Sequence, residues 1–264
     1  MKTPFPIFLS LASLLLAGCP AQKDDAATAG AAPLRVGMEA AYPPFESVNK
    51  AGEFEGFDVD LARAIGESLE RPVEFKNMAF DSLPPELEAG RIDLICSGMS
   101  YTDERAKKYD FSKPYARSVM SVLVGLARAK DVTKLPQLDD ENVHIAVQRG
   151  TTGETKAKEA FPKAKLMLYE TEADAAREVA SGRLHAFVYD CQSVEKFAKQ
   201  YPDTTRVLAE DLGTEEYCIV FAKGSPLREK VNAYLDVALK PGGKLEDLRK
   251  KWGLTSEKLR PGTK

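Results

Sequence analysis

The sequence holds few of the residues that carry metal or redox chemistry. Among 264 residues there are 2 histidines and 4 cysteines, and no two cysteines stand in a CxxC pair. That excludes a zinc ligand set of the usual spacing, and no metal or cofactor is expected. An excess of positive charge is also lacking. Lysine and arginine number 37 against 40 acidic residues, for a formal charge of −3. A nucleic-acid partner ordinarily needs a basic face, so none is expected. The short basic stretches Lys107-Lys108 and Arg249-Lys250-Lys251 read as solvated helix faces. Long apolar runs are missing too. Residues 5–17 are apolar but too short to span a bilayer as a mature helix, and no other segment is long enough.

What is present begins with that apolar run. Lys2 precedes it, and it closes on Leu16-Ala17-Gly18-Cys19. Small residues before a cysteine at this position resemble the lipobox of bacterial lipoproteins. The resemblance implies that residues 1–18 are a signal peptide and that Cys19 becomes the first mature residue, its thiol carrying fatty acyl chains such as palmitate. Residues 19–33 are polar and rich in alanine, with no hydrophobic period, and read as a linker. The protein is therefore expected outside the cytoplasm, anchored to a membrane through lipid and not spanning it.

Export places the remaining cysteines, Cys96, Cys191 and Cys218, where disulfides are permitted. Three is odd, so at most one pair forms within the chain. Cys96 lies in an apolar strand-like run and is expected as a buried thiol. A Cys191–Cys218 disulfide is the pairing expected.

The body of the chain alternates two periodicities. Apolar runs at 34–38, 73–75, 92–96, 119–126, 143–147, 166–169, 184–189 and 217–222 predict strands. Helical spacing predicts helices at 58–69, 82–89, 173–180, 194–200, 227–239 and 244–252, with others starting near Thr102 and Thr151. Pro84 and Pro85 fit only a first helical turn, and Thr151 with Glu154 fits a capping box. This alternation argues for an α/β architecture with mostly parallel sheets. Residues 87–95 and 179–187 echo each other, each a helix end, a Gly-Arg turn and an apolar strand. Two similar lobes would produce such an echo, and so would chance.

Gly56-Phe57-Asp58-Val59-Asp60-Leu61, followed by Ile65, Gly66 and Leu69, resembles the signature of the bacterial solute-binding proteins for polar amino acids. Tyr42-Pro43-Pro44-Phe45-Glu46, Gly98-Met99-Ser100-Tyr101-Thr102-Asp103-Glu104-Arg105 and Asp110-Phe111-Ser112-Lys113-Pro114-Tyr115 match in the same order. The resemblance covers about residues 34–252. It implies a two-lobed periplasmic binding protein fold of type II, with lobes joined by two hinge strands near residues 115–120 and 213–218. Lobe one would be residues 34–116 plus 218–264, and lobe two residues 117–217. A monomer is expected, delivering a small amino acid to the membrane permease of an ABC transporter.

The same resemblance assigns a site. Arg105 would hold the ligand carboxylate with its planar fork, helped by Ser100 and the backbone at Gly98. Thr152, at a helix start whose free N–H groups favour anions, would add from lobe two. Asp190 would accept the ammonium; on its residue type alone it reads equally well as a helix cap. Tyr42 and Phe80 would sandwich the side chain. Glu39 and Gln148 would set which side chain is preferred. His185 departs from the family pattern, which usually has Asp there, and Cys191 and Cys218 are unusual beside the site and hinge. No catalytic residue is expected, because the sequence offers no nucleophile–histidine pair and no phosphate loop. Two other functions stay in view: a dehydratase-like enzyme on the same fold, for which Glu39 would be the acid, and a ligand-sensing module for a membrane receptor. Nothing in the sequence names the amino acid.

Overall fold

Each of two sheets is built around apolar strands that are buried on both faces. The structure, a computed structural model, describes residue 1 and residues 32–254. Cys19 and, apart from residue 1, the expected signal peptide lie outside the described residues, as does most of the expected linker.

In the first sheet Leu34–Met38 is central, with Leu34, Val36 and Met38 fully buried. Strands run in the order Val73–Asn77, Leu34–Met38, Leu94–Ile95, Val220–Ala222, Tyr109–Phe111. The first three are parallel, and Val220–Ala222 is antiparallel to both its neighbours. Parallel strands need crossover helices, and the helix Phe57–Ser68 packs Leu61, Ala62 and Ile65 onto this sheet. It starts where only glycine fits: Gly56 has φ +136°, and a Cβ there would stand 2.1 Å from the Phe45 carbonyl oxygen. Further on, Asp60 accepts from Trp252 Nε1 at 2.8 Å and from Lys251 Nζ at 2.6 Å, so the family-like signature also ties down the C-terminal helix Lys244–Lys251.

The second sheet runs Lys165–Tyr169, His144–Gln148, Ala186–Asp190, Ala116–Gly125, Thr205–Val207. Its apolar core holds Val122, Val124, Ile145, Val147, Phe161 and Val188. The ten-residue strand Ala116–Gly125 also pairs with Thr214–Tyr217, from Thr214 opposite Val119 to Tyr217 opposite Ala116. These two antiparallel segments are where the chain passes between the sheets. Tyr217 makes a further bridge to Ser100, and Cys218 N–H donates to the Met99 carbonyl at 3.0 Å.

That passage corrects one expectation. The apolar run 217–222 is not one strand; Tyr217 ends Thr214–Tyr217, and Val220–Ala222 belongs to the first sheet. Between them Ile219 N–H donates to Ser112 Oγ, and the backbone changes partners from one sheet to the other. Local hydrophobicity registers the burial of residues 217–221 but not the change of sheet. Two smaller adjustments have local causes. The run 92–96 pairs as strand only at Leu94–Ile95. The helix at 82–89 becomes Leu83–Glu88, with its prolines in the first turn and a 3-10 turn Phe80–Ser82 before it.

The internal echo is structural. Gly90 (φ +67°) and Gly182 (φ +76°) both take left-handed backbone, and Arg91 and Arg183 each form a two-pronged ion pair five residues back, with Glu86 and Glu178. Asp93 Oδ2 accepts from Arg35 N–H at 2.9 Å, and His185 Nδ1 accepts from His144 N–H at 3.0 Å. The departure at His185 thus preserves the interaction: an imidazole nitrogen replaces a carboxylate oxygen as acceptor for the neighbouring strand.

Candidate functional site

The loops at the ends of the two sheets face each other across a cleft. From the first sheet's side come Glu39, Tyr42, Phe80, Gly98, Ser100 and Arg105; from the second come Thr152 and Asp190. Eight of the nine positions named from sequence therefore line one cleft. The ninth, Gln148, stands directly behind: its Nε2 donates to both Glu39 oxygens, at 2.9 and 2.8 Å, and to the Glu170 carbonyl at 2.8 Å.

Local structure explains each placement. Arg105 sits in the short helix Asp103–Ala106, whose cap, Thr102, accepts from Arg105 N–H. Its guanidinium donates to the Ser100 carbonyl at 2.7 Å and to the Gly150 carbonyl at 2.9 Å, touching elements of both sheets. It also lies 5.9 Å from the centre of the Phe80 ring. Burial pulls its pKa down, opposed by the nearby charges of Glu215 and Asp190. Tyr42 stacks on Phe45 at 5.1 Å, meets Tyr189 edge-on, and shares a 2.7 Å hydroxyl contact with Tyr217. Gly98 has φ +52°, and a Cβ there would come within 2.9 Å of the Tyr42 ring, so ring and loop can approach only with glycine. Thr152 opens the helix Thr152–Ala160, capped by Thr151, which accepts from Glu154 N–H. The Glu154 carboxylate accepts from Gly150 N–H at 2.9 Å, so the expected box closes one residue earlier than the sequence pattern suggests.

The acidic groups are the less usual feature. Asp190 ends the strand Ala186–Asp190 and begins the helix Cys191–Gln200, yet its side chain makes no capping bond. It is buried, and its Oδ1 has no hydrogen-bond partner among the described residues. Desolvation first, and the charge of Glu215 second, push its pKa up, against the hydroxyls of Tyr217 and Ser118. Glu39 is buried and pushed up to about 7 by desolvation, despite the amide of Gln148. Beneath it, Ser97 Oγ donates to Glu46 at 2.7 Å, and Asp58 accepts from Gly98 N–H at 2.8 Å and from Tyr115 at 2.6 Å. Glu46 is fully buried; desolvation and the neighbouring Asp58 drive its pKa well up.

Glu46, Ser97, Thr151 and Tyr189 also line the cleft and were not named from sequence. Glu46 closes one family-like motif and Ser97 adjoins another, which was a usable signal. Glu215 was missed as well. It accepts from Ser100 and, at 2.5 Å, from Thr152. It lies 115 residues from Ser100 in sequence, and no spacing rule reaches that far.

The expected Cys191–Cys218 disulfide is not formed; both are free thiols, as is the buried Cys96. After the break at Tyr217, Cys218 packs into the first sheet's core with Ile95, Met99 and Val220. Cys191 instead opens a helix of the second sheet's layer. The two sides of the passage separate the sulfurs. Among the described residues no helix is long and apolar enough to cross a membrane.

Comparison with known proteins adds to this geometry. The family model for bacterial extracellular solute-binding proteins, family 3, matches residues 34–255. A probable histidine-binding protein of Neisseria gonorrhoeae is 32% identical over 88% of this chain and 88% of its own. The ABC transporter arginine-binding protein 1 of Escherichia coli is 31% identical over 83% of this chain and 90% of its own. Among solved structures, an ancestral amino acid-binding protein described as a precursor of cyclohexadienyl dehydratase superposes with a TM-score of 0.75. It is 38% identical, covering 83% of this chain and 94% of the other.

Proposed function

The chain belongs to the bacterial extracellular solute-binding proteins of family 3 and has their two-lobed, type II fold, and from that premise we propose that it is the substrate-binding component of an ABC transporter that captures an amino acid with a cationic side chain. The observation that carries the reading is the pairing of charges in the cleft. Arg105 offers a half-buried guanidinium, and Asp190 a buried carboxylate with one oxygen unpartnered among the described residues. An α-amino acid brings the complementary pair on one carbon. Truncating either partner of such a buried pair costs about 2–5 kcal/mol. A second buried carboxylate, Glu39, suits a basic side chain, and both relatives above are named for binding basic amino acids.

Lobe one then comprises residues 34–116 and 218–264, lobe two residues 117–217, and closure on the ligand is a hinge motion about the paired segments Ala116–Gly125 and Thr214–Tyr217. The site consists of Glu39, Tyr42, Phe80, Gly98, Ser100, Arg105, Gln148, Thr152 and Asp190, with Cys19 as the acylated anchor to the membrane and a permease as partner. The working form is a monomer. The test is a thermal-shift screen over the common amino acids. Ligand at about a hundred times its dissociation constant stabilises by roughly 2.7 kcal/mol. Arginine, lysine or histidine should give the largest shift, and no shift with any amino acid would refute the reading. Replacing Cys19 with alanine should release soluble protein or leave unprocessed precursor.

A second reading follows from Glu39, a carboxyl near 7 and so able to donate a proton at neutral pH. The kinship to a dehydratase precursor favours it. Incubation with arogenate or prephenate decides between them: no turnover is expected.

A further inference from the structure

Glu215 stands on the strand Thr214–Tyr217, opposite Ser118, and is buried. One of its oxygens, Oε2, accepts from two hydroxyls at once. Ser100 comes from the first sheet's side and Thr152 from the second's. Both hydroxyls line the cleft, where the family-like pattern would have Ser100 and Thr152 donate to a ligand carboxylate. A hydroxyl has a single proton and a carboxylate only accepts. With both protons directed at Glu215, each hydroxyl turns only lone pairs toward the cleft. The negative charge of Glu215 also acts on Arg105, whose guanidinium already gives two N–H groups to the carbonyls of Ser100 and Gly150.

We propose that Glu215 is an internal counterpart of the ligand carboxylate, and that the cleft consequently also accepts cations that have no carboxylate, namely decarboxylated amino acids such as guanidino amines and diamines. The inference rests on the amino-acid-binding reading of the same cleft. A ligand carboxylate entering beside Glu215 meets a like charge and two hydroxyls that cannot donate to it. A carboxylate-free amine meets neither obstacle, and its ammonium finds acceptors in Ser100, Thr152 and Asp190. Discrimination between an amino acid and its own amine is therefore weak in this protein, and Glu215 is the residue that weakens it.

The experiment measures Kd by calorimetry for three matched pairs: arginine and agmatine, lysine and cadaverine, histidine and histamine. Wild type, Glu215→Ala and Glu215→Gln are compared, each first checked for a cooperative melt. In wild type the best-bound amino acid should exceed its amine by no more than about tenfold, roughly one charge-assisted hydrogen bond. Glu215→Ala frees both hydroxyl protons for a carboxylate and removes the anion that favours the amine, so the ratio should widen by a further factor of about ten or more. Glu215→Gln keeps the shape, frees one proton and should fall between; it serves alone if the alanine variant does not fold. If the ratio stays within about twofold of wild type in the folded variants, or if wild type already excludes the amines by about a thousandfold, the role of Glu215 is overturned while the amino-acid reading stands. If wild type binds none of the six compounds, both fall.

Discussion

Glu39 should make the preference for a basic ligand depend on pH. Its carboxyl is held at about 7 by desolvation, so near neutrality the cleft carries a partly protonated acid where a cationic side chain would need an anion. Binding such a side chain requires Glu39 to be ionised, and the proton must leave. With a folded pKa of about 7 and a much lower one in the complex, affinity scales with the ionised fraction. Between pH 8 and pH 5.5 that fraction falls about 30-fold, equivalent to about 2 kcal/mol. Asp190 is also pushed up and would meet the ammonium of every amino acid, so the absolute affinity mixes two titrations. The ratio of arginine to glutamine affinities removes the common one, because only arginine brings a charge to Glu39. Calorimetry at the two pH values should show that ratio falling about 30-fold in wild type and flattening in Glu39→Gln. A ratio constant within about threefold in wild type would refute the placement of a cationic side chain at Glu39.

The charge clamp should be all-or-none: Arg105→Ala and Asp190→Ala each weaken the best ligand by about 2–5 kcal/mol, or roughly 30-fold to several thousand-fold, in calorimetry. A loss of only a few-fold for Arg105→Ala would refute the assigned site. Glu39 should also burden the ligand-free fold. A carboxyl whose folded pKa of about 7 exceeds its ordinary 4.5 favours folding at low pH, and that stability is lost as pH rises through 7. Glu39→Gln should therefore raise the melting temperature at pH 8, by at most about 3 kcal/mol of stability, and much less at pH 4. Gly56→Ala should destabilise by more than about 2 kcal/mol in urea melts, since it combines a left-handed backbone with a clash against the Phe45 carbonyl. Near-neutral behaviour would show that the turn can relax.

Much of this protein is legible from local pattern. The strand at 34–38 announces itself because a run buried on both faces is apolar throughout, and the helix after Gly56 because its apolar residues recur with helical period. The motif around Gly98-Met99-Ser100 placed Ser100 and Arg105 in one cleft, since short-range geometry puts a loop, a cap and a helix in fixed relation. What sequence alone did not decide were relations between distant segments. The run 217–222 is apolar throughout, yet it divides between two sheets because Ser112 and Met99 intercept its backbone. Cys191 and Cys218 are plausible partners by elimination, and the same change of sheet keeps them apart. Glu215 reads as a surface glutamate one residue before another, until pairing of its strand with Ala116–Gly125 brings it between hydroxyls from both sheets. A side chain's neighbours along the chain determine its periodicity and burial; the donors that meet its oxygens come from wherever the fold brings them, and only the tertiary structure fixes those.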